Sequence, residues 1–437
     1  MYRFSALVLL WCLPSLSQAY HEAKELEEIV VTGRSQVLAG EARTASEGVV
    51  GQMDLAIRPL LRPGDVLEAV PGLIVTQHSG SGKSNQMFLR GFNLDHGTDF
   101  ATWVDGMPVN MRTHGHGQGY TDINFLIPET IHQMDYVKGP YHAELGDFSS
   151  AGGVHINTFD RLPEDRITIG AGEDGYGRLL AMGTVDLSSM YLSGAFEAQV
   201  YDGPWRDIEE DVEKLNGLVK LGGGDQARNW SATAMYYDNE WNSADQIPQR
   251  AVSEGLINEF GSIDPTLGGD SRRASLSGQY THEQQDHRAR WQAYLIDYKL
   301  NLWSNFTYLL DDPVNGDQFK QEDDRTVYGG SYDRTWTAGM DESFHNRLGL
   351  ELRYDDIDTV GLYRTRARQR LDTVSKDKVE QASVGLFYEL AWHFAEDWRA
   401  ILGIRGDYYW FDVDAGEPAN AGDDSDSIVS PKASLMY

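Results

Sequence analysis

The sequence predicts a small α+β domain followed by a transmembrane antiparallel β-barrel. Three observations predict it: an export leader with no apolar helical span behind it, a run of short strands and turns from Arg62 to Thr158, and long apolar–polar alternation beyond Asp160.

In the leader, Arg3 supplies a positive start, Phe4 to Leu13 an apolar core, and Ser17-Gln18-Ala19 a small-x-small cleavage site, so residues 1–19 read as a signal peptide. Cys12 is preceded by bulky Leu10 and Trp11, where a lipoprotein signal wants small residues. It is the only cysteine, which excludes thiol catalysis, Cys-ligated metal centres and a disulfide scaffold from the mature chain. Past the leader no stretch of about 18 apolar residues occurs, so no helical membrane span is expected. An exported chain of this kind is periplasmic, secreted or a barrel. Its 37 Lys+Arg against 67 Asp+Glu give a formal charge of −30, which would repel nucleic-acid phosphates.

Residues 20–60 form a polar arm, interrupted by Ile29-Val30-Val31 inside Glu27-Glu28-Ile29-Val30-Val31-Thr32-Gly33; on residue pattern alone this is an ordinary extended segment. The α+β unit begins near Arg62. Asp65 is placed to cap a short helix through Ala69, Pro71-Gly72 ends it, and Leu73 to Thr76 reads as a strand. Strands follow at Phe88 to Phe92 and from Thr102 to an Asp105-Gly106 turn. Ile127 to Val137 suits a helix-to-strand passage, and Val154 to Thr158 a closing strand.

Beyond Asp160 the period becomes two. Leu348, Leu350, Leu352 and Tyr354 alternate with Gly349, Glu351 and Arg353; Val384, Leu386, Tyr388, Leu390 and Trp392 repeat the pattern, and so do Leu402, Ile404 and Tyr408 against Arg405 and Asp407. Charged residues on the second face suit a water-filled lumen. Aromatics cluster at Tyr236, Tyr237 and Trp241, and from Tyr408 to Phe411, as expected at membrane boundaries. Pro313 to Asp324 and Asp412 to Asp426 read as long acidic outer loops.

This ordered set resembles the TonB-dependent outer-membrane receptors. Arg62 to Gly72 resembles the opening helix and turn of their plug domain, Leu89-Arg90-Gly91 its Arg-Gly motif, and Val104-Asp105-Gly106 its Asp-Gly loop. Ile127-Pro128-Glu129 with Tyr136 to Gly139-Pro140 resembles the segment ending in Gly-Pro, and Ala151 to Thr158 the last plug strand. The resemblance implies an α+β plug domain over 61–160 inside a transmembrane antiparallel β-barrel over 161–437, seated in the lipid of the cell outer membrane. It also identifies Glu27 to Gly33 as a TonB box, through which TonB and its inner-membrane energising complex would act. Seven residues between Ala19 and Glu27 leave no room for an N-terminal signalling domain, so a transporter alone is expected. The family barrel has 22 strands, whereas the residues from Arg161 on supply roughly a dozen at about 10 residues each, too few to enclose a plug of radius near 13 Å. The barrel in this chain is therefore expected to be incomplete.

The resemblance does not fix the cargo. Seven of the 12 His lie between His78 and His155, and His114-Gly115-His116 sits in a Gly-rich loop, with His96 as a third candidate ligand for a metal ion or metal complex. The other reading makes these His polar residues of a wet lumen. Gly80 to Ser84 ends in Gly-Lys-Ser, but Gln77 stands where a phosphate loop needs Gly and a strand follows, so an apical loop is expected. No nucleophile elbow or zinc-protease motif appears, so no catalytic residues and no cofactor are expected. The competing functions are a passive surface receptor or adhesin barrel and a secreted soluble β-rich enzyme.

Overall fold

The computed structural model describes residues 45–338, 343–395 and 397–437. The expected signal peptide and the Glu27 to Gly33 segment lie outside the described residues.

The small domain holds strands β1 (Glu47–Gly51), β2 (Leu73–Thr76), β3 (Gln86–Leu89), β4 (Phe92–Asn93), β5 (Phe100–Val104), β6 (Met107–Pro108), β7 (Ile131–Val137) and β8 (Gly152–Thr158). Five of them form a sheet in the order β1-β7-β8-β5-β6, with only β5 and β8 parallel, and β2-β3-β4 form a second sheet. Val66, Leu67, Phe100, Met107, Met134 and Ile156 lie in the buried core between these layers. Two motifs are hairpin turns with both central residues left-handed: Arg90 and Gly91 (φ 53° and 81°) join β3 to β4, and Asp105 and Gly106 (φ 46° and 79°) join β5 to β6. That backbone matches the twist of the flanking strands.

Two details differ from expectation. The opening helix is a 3-10 helix, Pro63–Ala69, and Asp65 is not its cap but accepts a hydrogen bond from Arg62 Nη2 at 2.9 Å. Only seven residues fit between Pro63 and the Pro71-Gly72 turn, which favours the tighter winding. The polar arm also does not run to residue 60 as a separate segment: Glu47 to Gly51 pair with Val137 to Gln133 as the sheet's edge strand, because Val50 finds a place in the core.

Twelve antiparallel strands follow: β9 (Arg166–Ala171), β10 (Gly177–Leu187), β11 (Met190–Tyr201), β12 (Val212–Gly224), β13 (Arg228–Asn242), β14 (Gly268–Glu283), β15 (His287–Ser304), β16 (Phe319–Ala338), β17 (Phe344–Arg366), β18 (Gln369–Ala395), β19 (Trp398–Asp414) and β20 (Gly422–Met436). Each pairs with the next, and β9 and β20 are the two edges, so this is a partial barrel. The small domain touches β10, β12 and every strand from β14 to β20. A sheet that reaches one small body from so many successive strands must wrap around it.

The alternation points as expected: Leu348, Leu350, Leu352, Val384, Leu386, Leu402 and Ile404 are exposed outward, while Arg353, Arg405 and Asp407 face inward. On β17, Phe344 stacks with Trp392 and Tyr354 with Tyr328. The ten positions between Phe344 and Tyr354 correspond to an apolar band roughly 25 Å tall on a tilted strand. The cluster at β13 divides by parity instead of forming one belt. Tyr236 is 46% exposed, but Tyr237 and Trp241 are 1% exposed and face the small domain, since consecutive strand residues take opposite faces. The expected acidic loops have other bounds: the first lies earlier, at 305–318, because β16 already begins at Phe319, and the second is shorter, 415–421, because β19 runs to Asp414 and β20 begins at Gly422.

Leu350 sits near the middle of that band. Leu350→Arg is expected to cost about 2–4 kcal/mol, read as the shift in denaturant unfolding of the protein folded into lipid vesicles.

Candidate functional site

The barrel has two unlike ends. Connections 202–211, 243–267 and 305–318 are long and lie at one end, while 188–189, 225–227 and 284–286 are tight turns at the other. The small domain presents its His-bearing loops to the first end and its N-terminal strand to the second.

Between the ends, the seam with the wall is charged. Three wall strands carry an arginine and an aspartate two residues apart, hence on one face: Asp323 with Arg325, Arg353 with Asp355, and Arg405 with Asp407. Each carboxylate fixes its neighbour's guanidinium, and the remaining N–H groups donate to small-domain carbonyls. Arg325 reaches Arg112 O and Thr113 O at 2.5 and 2.9 Å, Arg353 reaches Asn110 O at 2.9 Å, and Arg405 reaches Glu144 O at 2.8 Å. On the opposite side Arg178 holds Glu129 in a fork of 2.7 and 2.9 Å and also pairs with Glu197. Burial alone would raise the Glu129 carboxyl; the Arg178 guanidinium more than offsets this and holds it below its ordinary value. A cavity of about 290 Å³ remains between the five-stranded sheet and the wall, lined by Trp103, His155, Arg290, Arg347 and Glu351 among others.

Of the motif residues, Asp105 has the most partners. Its carboxylate accepts from Thr158 N at 2.9 Å and Thr158 Oγ1 at 2.6 Å, and Lys220 of β12 lies 3.3 Å away. Gly106, Arg90 and Gly91 are turn positions. Gly139 (φ 131°) and Pro140 end β7, where no further ladder bond is needed.

At the long-loop end, the segment Ser79 to Ser84 is an apical loop. Ser79 Oγ donates to Asp245 Oδ1 at 2.6 Å, and Gly82 lies under Trp241 so closely that an added Cβ would overlap the indole. Behind it lie the His side chains. The candidate set His96, His114 and His116 does not converge, and among the described residues no three His, Cys, Asp or Glu are arranged to hold a metal ion. His114 is used elsewhere: its ring stacks on Tyr120 at 4.1 Å, its Nδ1 accepts from His116 N at 3.1 Å, and its Nε2 turns to Asp323, 3.8 Å away. Gly115 allows this fold, since a Cβ there would lie 2.6 Å from Glu322 O on the wall. His96 and His116, however, meet, with their Nε2 atoms 3.1 Å apart, and His78 lies beside His96 with 5.3 Å between ring centroids. Burial disfavours the charged form of all four: it pushes His78 down to about 4, lowers His96, and holds His114 and His116 well below their ordinary value.

At the tight-turn end a different histidine is charged. His142 contacts Glu47 of β1 at 3.0 Å through Nε2 and Glu389 of β18 at 3.1 Å through Nδ1. Burial opposes its protonation, but these two carboxylates prevail and push its pKa up to about 10. Lys432 of β20 donates to His142 O at 2.8 Å. His142 thus clasps the first strand of the small domain to the wall.

Sequence reasoning passed over His78, His142 and the Arg–Asp pairs. The pairs had a readable signal, two opposite charges at i and i+2 on the lumen face of a strand. The His142 clasp had none, since its partners are 95 and 247 positions away.

Residues 41–154 match the TonB-dependent Receptor Plug Domain family, and residues 205–437 match the family described as TonB dependent receptor-like, beta-barrel. Among solved structures, the chain is similar to the copper transporter OprC (20% identity, TM-score 0.68), covering 92% of this chain and 62% of that one. It is also similar to the ferric citrate transporter FecA (14%, TM-score 0.70, covering 89% and 60%) and to the ferric yersiniabactin uptake receptor FyuA from Yersinia pestis (15%, TM-score 0.70, covering 90% and 61%). The chain spans about three fifths of the length of these proteins, and at such identities the likeness is one of fold. With its second family match covering more than half of the sequence, the chain belongs to the TonB-dependent receptors, a family of transporters and receptors that includes nutrient-uptake proteins of the outer membrane.

Proposed function

We propose that this chain is an energy-coupled importer of the Gram-negative outer membrane that takes up a scarce small nutrient, a metal ion or metal complex, with TonB as its periplasmic partner. The observation that carries this reading is the position of β1. Among the described residues it is the edge strand of its sheet, paired with β7, and its first residue is clasped to the wall by His142. The TonB box, Glu27 to Gly33, precedes it by fourteen positions. An extended segment of that kind can add as a strand to a partner sheet, where backbone hydrogen bonds supply the grip. Tension arriving from the N-terminal side would then load the Ser46–Glu47 end of β1, open the clasp and detach β1 from β7. An edge strand of five residues is the least costly part of the sheet to remove, and its loss exposes the sheet next to the polar cavity along the wall. A passive adhesin has no use for such a release.

Deletion of Glu27 to Gly33 is therefore expected to abolish cargo uptake by cells while leaving cargo binding at the surface intact, measured in parallel on the same strain. The clasp makes a separate prediction. The His142 pKa is raised from 6.5 to about 10, so its contribution is full below about pH 6.5, persists at neutral pH, and is lost as pH rises through about 10. Hydrogen-exchange protection of amides 47–51, corrected for intrinsic rates, should fall through that window. His142→Ala should lower the same protection already at pH 7, by about 1.5–3 kcal/mol for a hydrogen bond to a charged group.

A further inference from the structure

The His96–His116 contact poses a chemical problem. His96 Nδ1 lies 3.2 Å from Asn85 O, a carbonyl that can only accept, so Nδ1 carries the proton. His116 Nδ1 lies 2.8 Å from Gln321 Oε1, and the orientation of that amide is set because Gln321 Nε2 donates to Gly115 O at 2.9 Å. His116 Nδ1 is therefore also the protonated nitrogen. A neutral imidazole has one N–H, so both Nε2 atoms are bare, and their lone pairs sit 3.1 Å apart. Such a pair is repulsive unless a cation lies between the two nitrogens.

The distance also restricts the cation. Two metal–nitrogen bonds of about 2.0–2.1 Å spanning this gap subtend roughly 100° at the metal. That angle lies between the square and tetrahedral values, and far from the linear geometry of a two-coordinate ion. A four- or six-coordinate ion held here has its other ligands to find, and among the described residues no third His, Cys, Asp or Glu completes the set. His96 is buried, and the side of the pair nearest solvent is marked by Asp95, about half exposed with Oδ1 3.7 Å from His96 Nε2, and by Gly117, where a Cβ would meet nothing nearer than Asp95 Oδ2 at 3.9 Å.

We propose that His96 and His116 form a two-imidazole half-site at the apex of the plug for a borderline first-row cation, of the copper, nickel or zinc class, that arrives in a complex with two adjacent exchangeable positions. The imidazoles fill those two positions. A chelate that saturates its metal is refused. His114, assigned to the ligand set from sequence, is a packing residue that supports the loop. The proposal deepens the uptake reading and rests on it only in calling the ligand cargo.

The test uses the full receptor in detergent, with the half-buried pair His282–His287 and the exposed pair His345–His393 changed to Gln to remove adventitious sites. Calorimetry with nickel nitrilotriacetate, which leaves two adjacent positions open, should give one complex per receptor, and nickel EDTA, which leaves none, should give no heat. His96→Ala and His116→Ala should each weaken binding at least tenfold. Because either change can loosen the loop, the Cu²⁺ complex of the receptor with both residues intact is examined by electron spin-echo spectroscopy, which should register two imidazoles. Equal binding of the two nickel chelates, unchanged affinity in both variants, or fewer than two coordinated imidazoles would overturn the proposal; a pair joined by a shared proton would give that last result. None of these measurements involves TonB. Binding that survives deletion of Glu27 to Gly33 alongside unimpaired uptake would instead refute the energy-coupled reading and leave the half-site standing.

Discussion

The structure depends on the charged contacts set into the seam between plug and wall, beside buried apolar wall residues such as Leu180, Leu300 and Leu302 that join the plug's core. In a bilayer every backbone N–H and C=O of the wall must be paired within the sheet, and the outward face must be apolar, which leaves the inward face free to carry polar residues. Along β16, β17 and β19 the plug docks on charges. Docking is specific here because each guanidinium is fixed before it meets the plug: Asp323, Asp355 and Asp407 hold Arg325, Arg353 and Arg405 from two residues away on the same strand. The plug contributes mostly main-chain carbonyls, which have no side-chain entropy to lose. Ion pairs taken out of water return little net stability, since their attraction is largely offset by desolvation. The charged part of the seam therefore defines position sharply, while hydrophobic gain comes from the apolar wall residues that join the plug's core.

One stretch of chain links the two ends of the plug. Arg112 precedes the His114–His116 hairpin, and its Nε donates to Asp147 at 2.7 Å while Nη1 donates to Ser383 Oγ at 2.9 Å. Asp147 follows His142 and Glu144, whose contacts with Glu389 and Arg347 lie toward the tight-turn end. The hairpin itself rests on β16, but Arg112 at its base and the β1 clasp meet the same wall strand, β18, through Ser383 and Glu389, which gives a continuous run of contacts between the two ends. Such continuity is a physical route for strain between the ends.

Much of this fold was legible in the sequence because the rules that set it are local. Alternation in β17 to β19 follows from lipid on one side and water on the other, and Arg90-Gly91 and Asp105-Gly106 mark hairpins because few residues accept left-handed backbone. What failed to show depends on contacts distant in sequence. Pairing of Glu47 to Gly51 with β7 requires a partner about 85 positions away. Tyr237 and Trp241 read as belt aromatics until the plug's apical loop supplies them with something to cover. Among the histidines, spacing grouped His114 with His116 because they are neighbours in the loop, but close approach to the wall at Gly115 sends the two rings to different surroundings.

The surroundings of the His pair bear on what it would hold. The chain as a whole is strongly acidic, with a formal charge of −30, and such a field draws cations toward the outer loops over about a Debye length, 8 Å at physiological salt. At the pair itself the balance reverses. Lys83 is 3% exposed and its ammonium disfavours further positive charge at both His96 and His116, against which Asp95 acts only on His96. A bare dication would meet that ammonium in a poorly solvated place, whereas a metal carried by an anionic chelator brings compensating charge with it. In the proposed half-site, the residues that leave coordination positions unfilled would thus favour a complex of low net charge over the free ion, so that open coordination and charge already neutralised would point to the same kind of ligand.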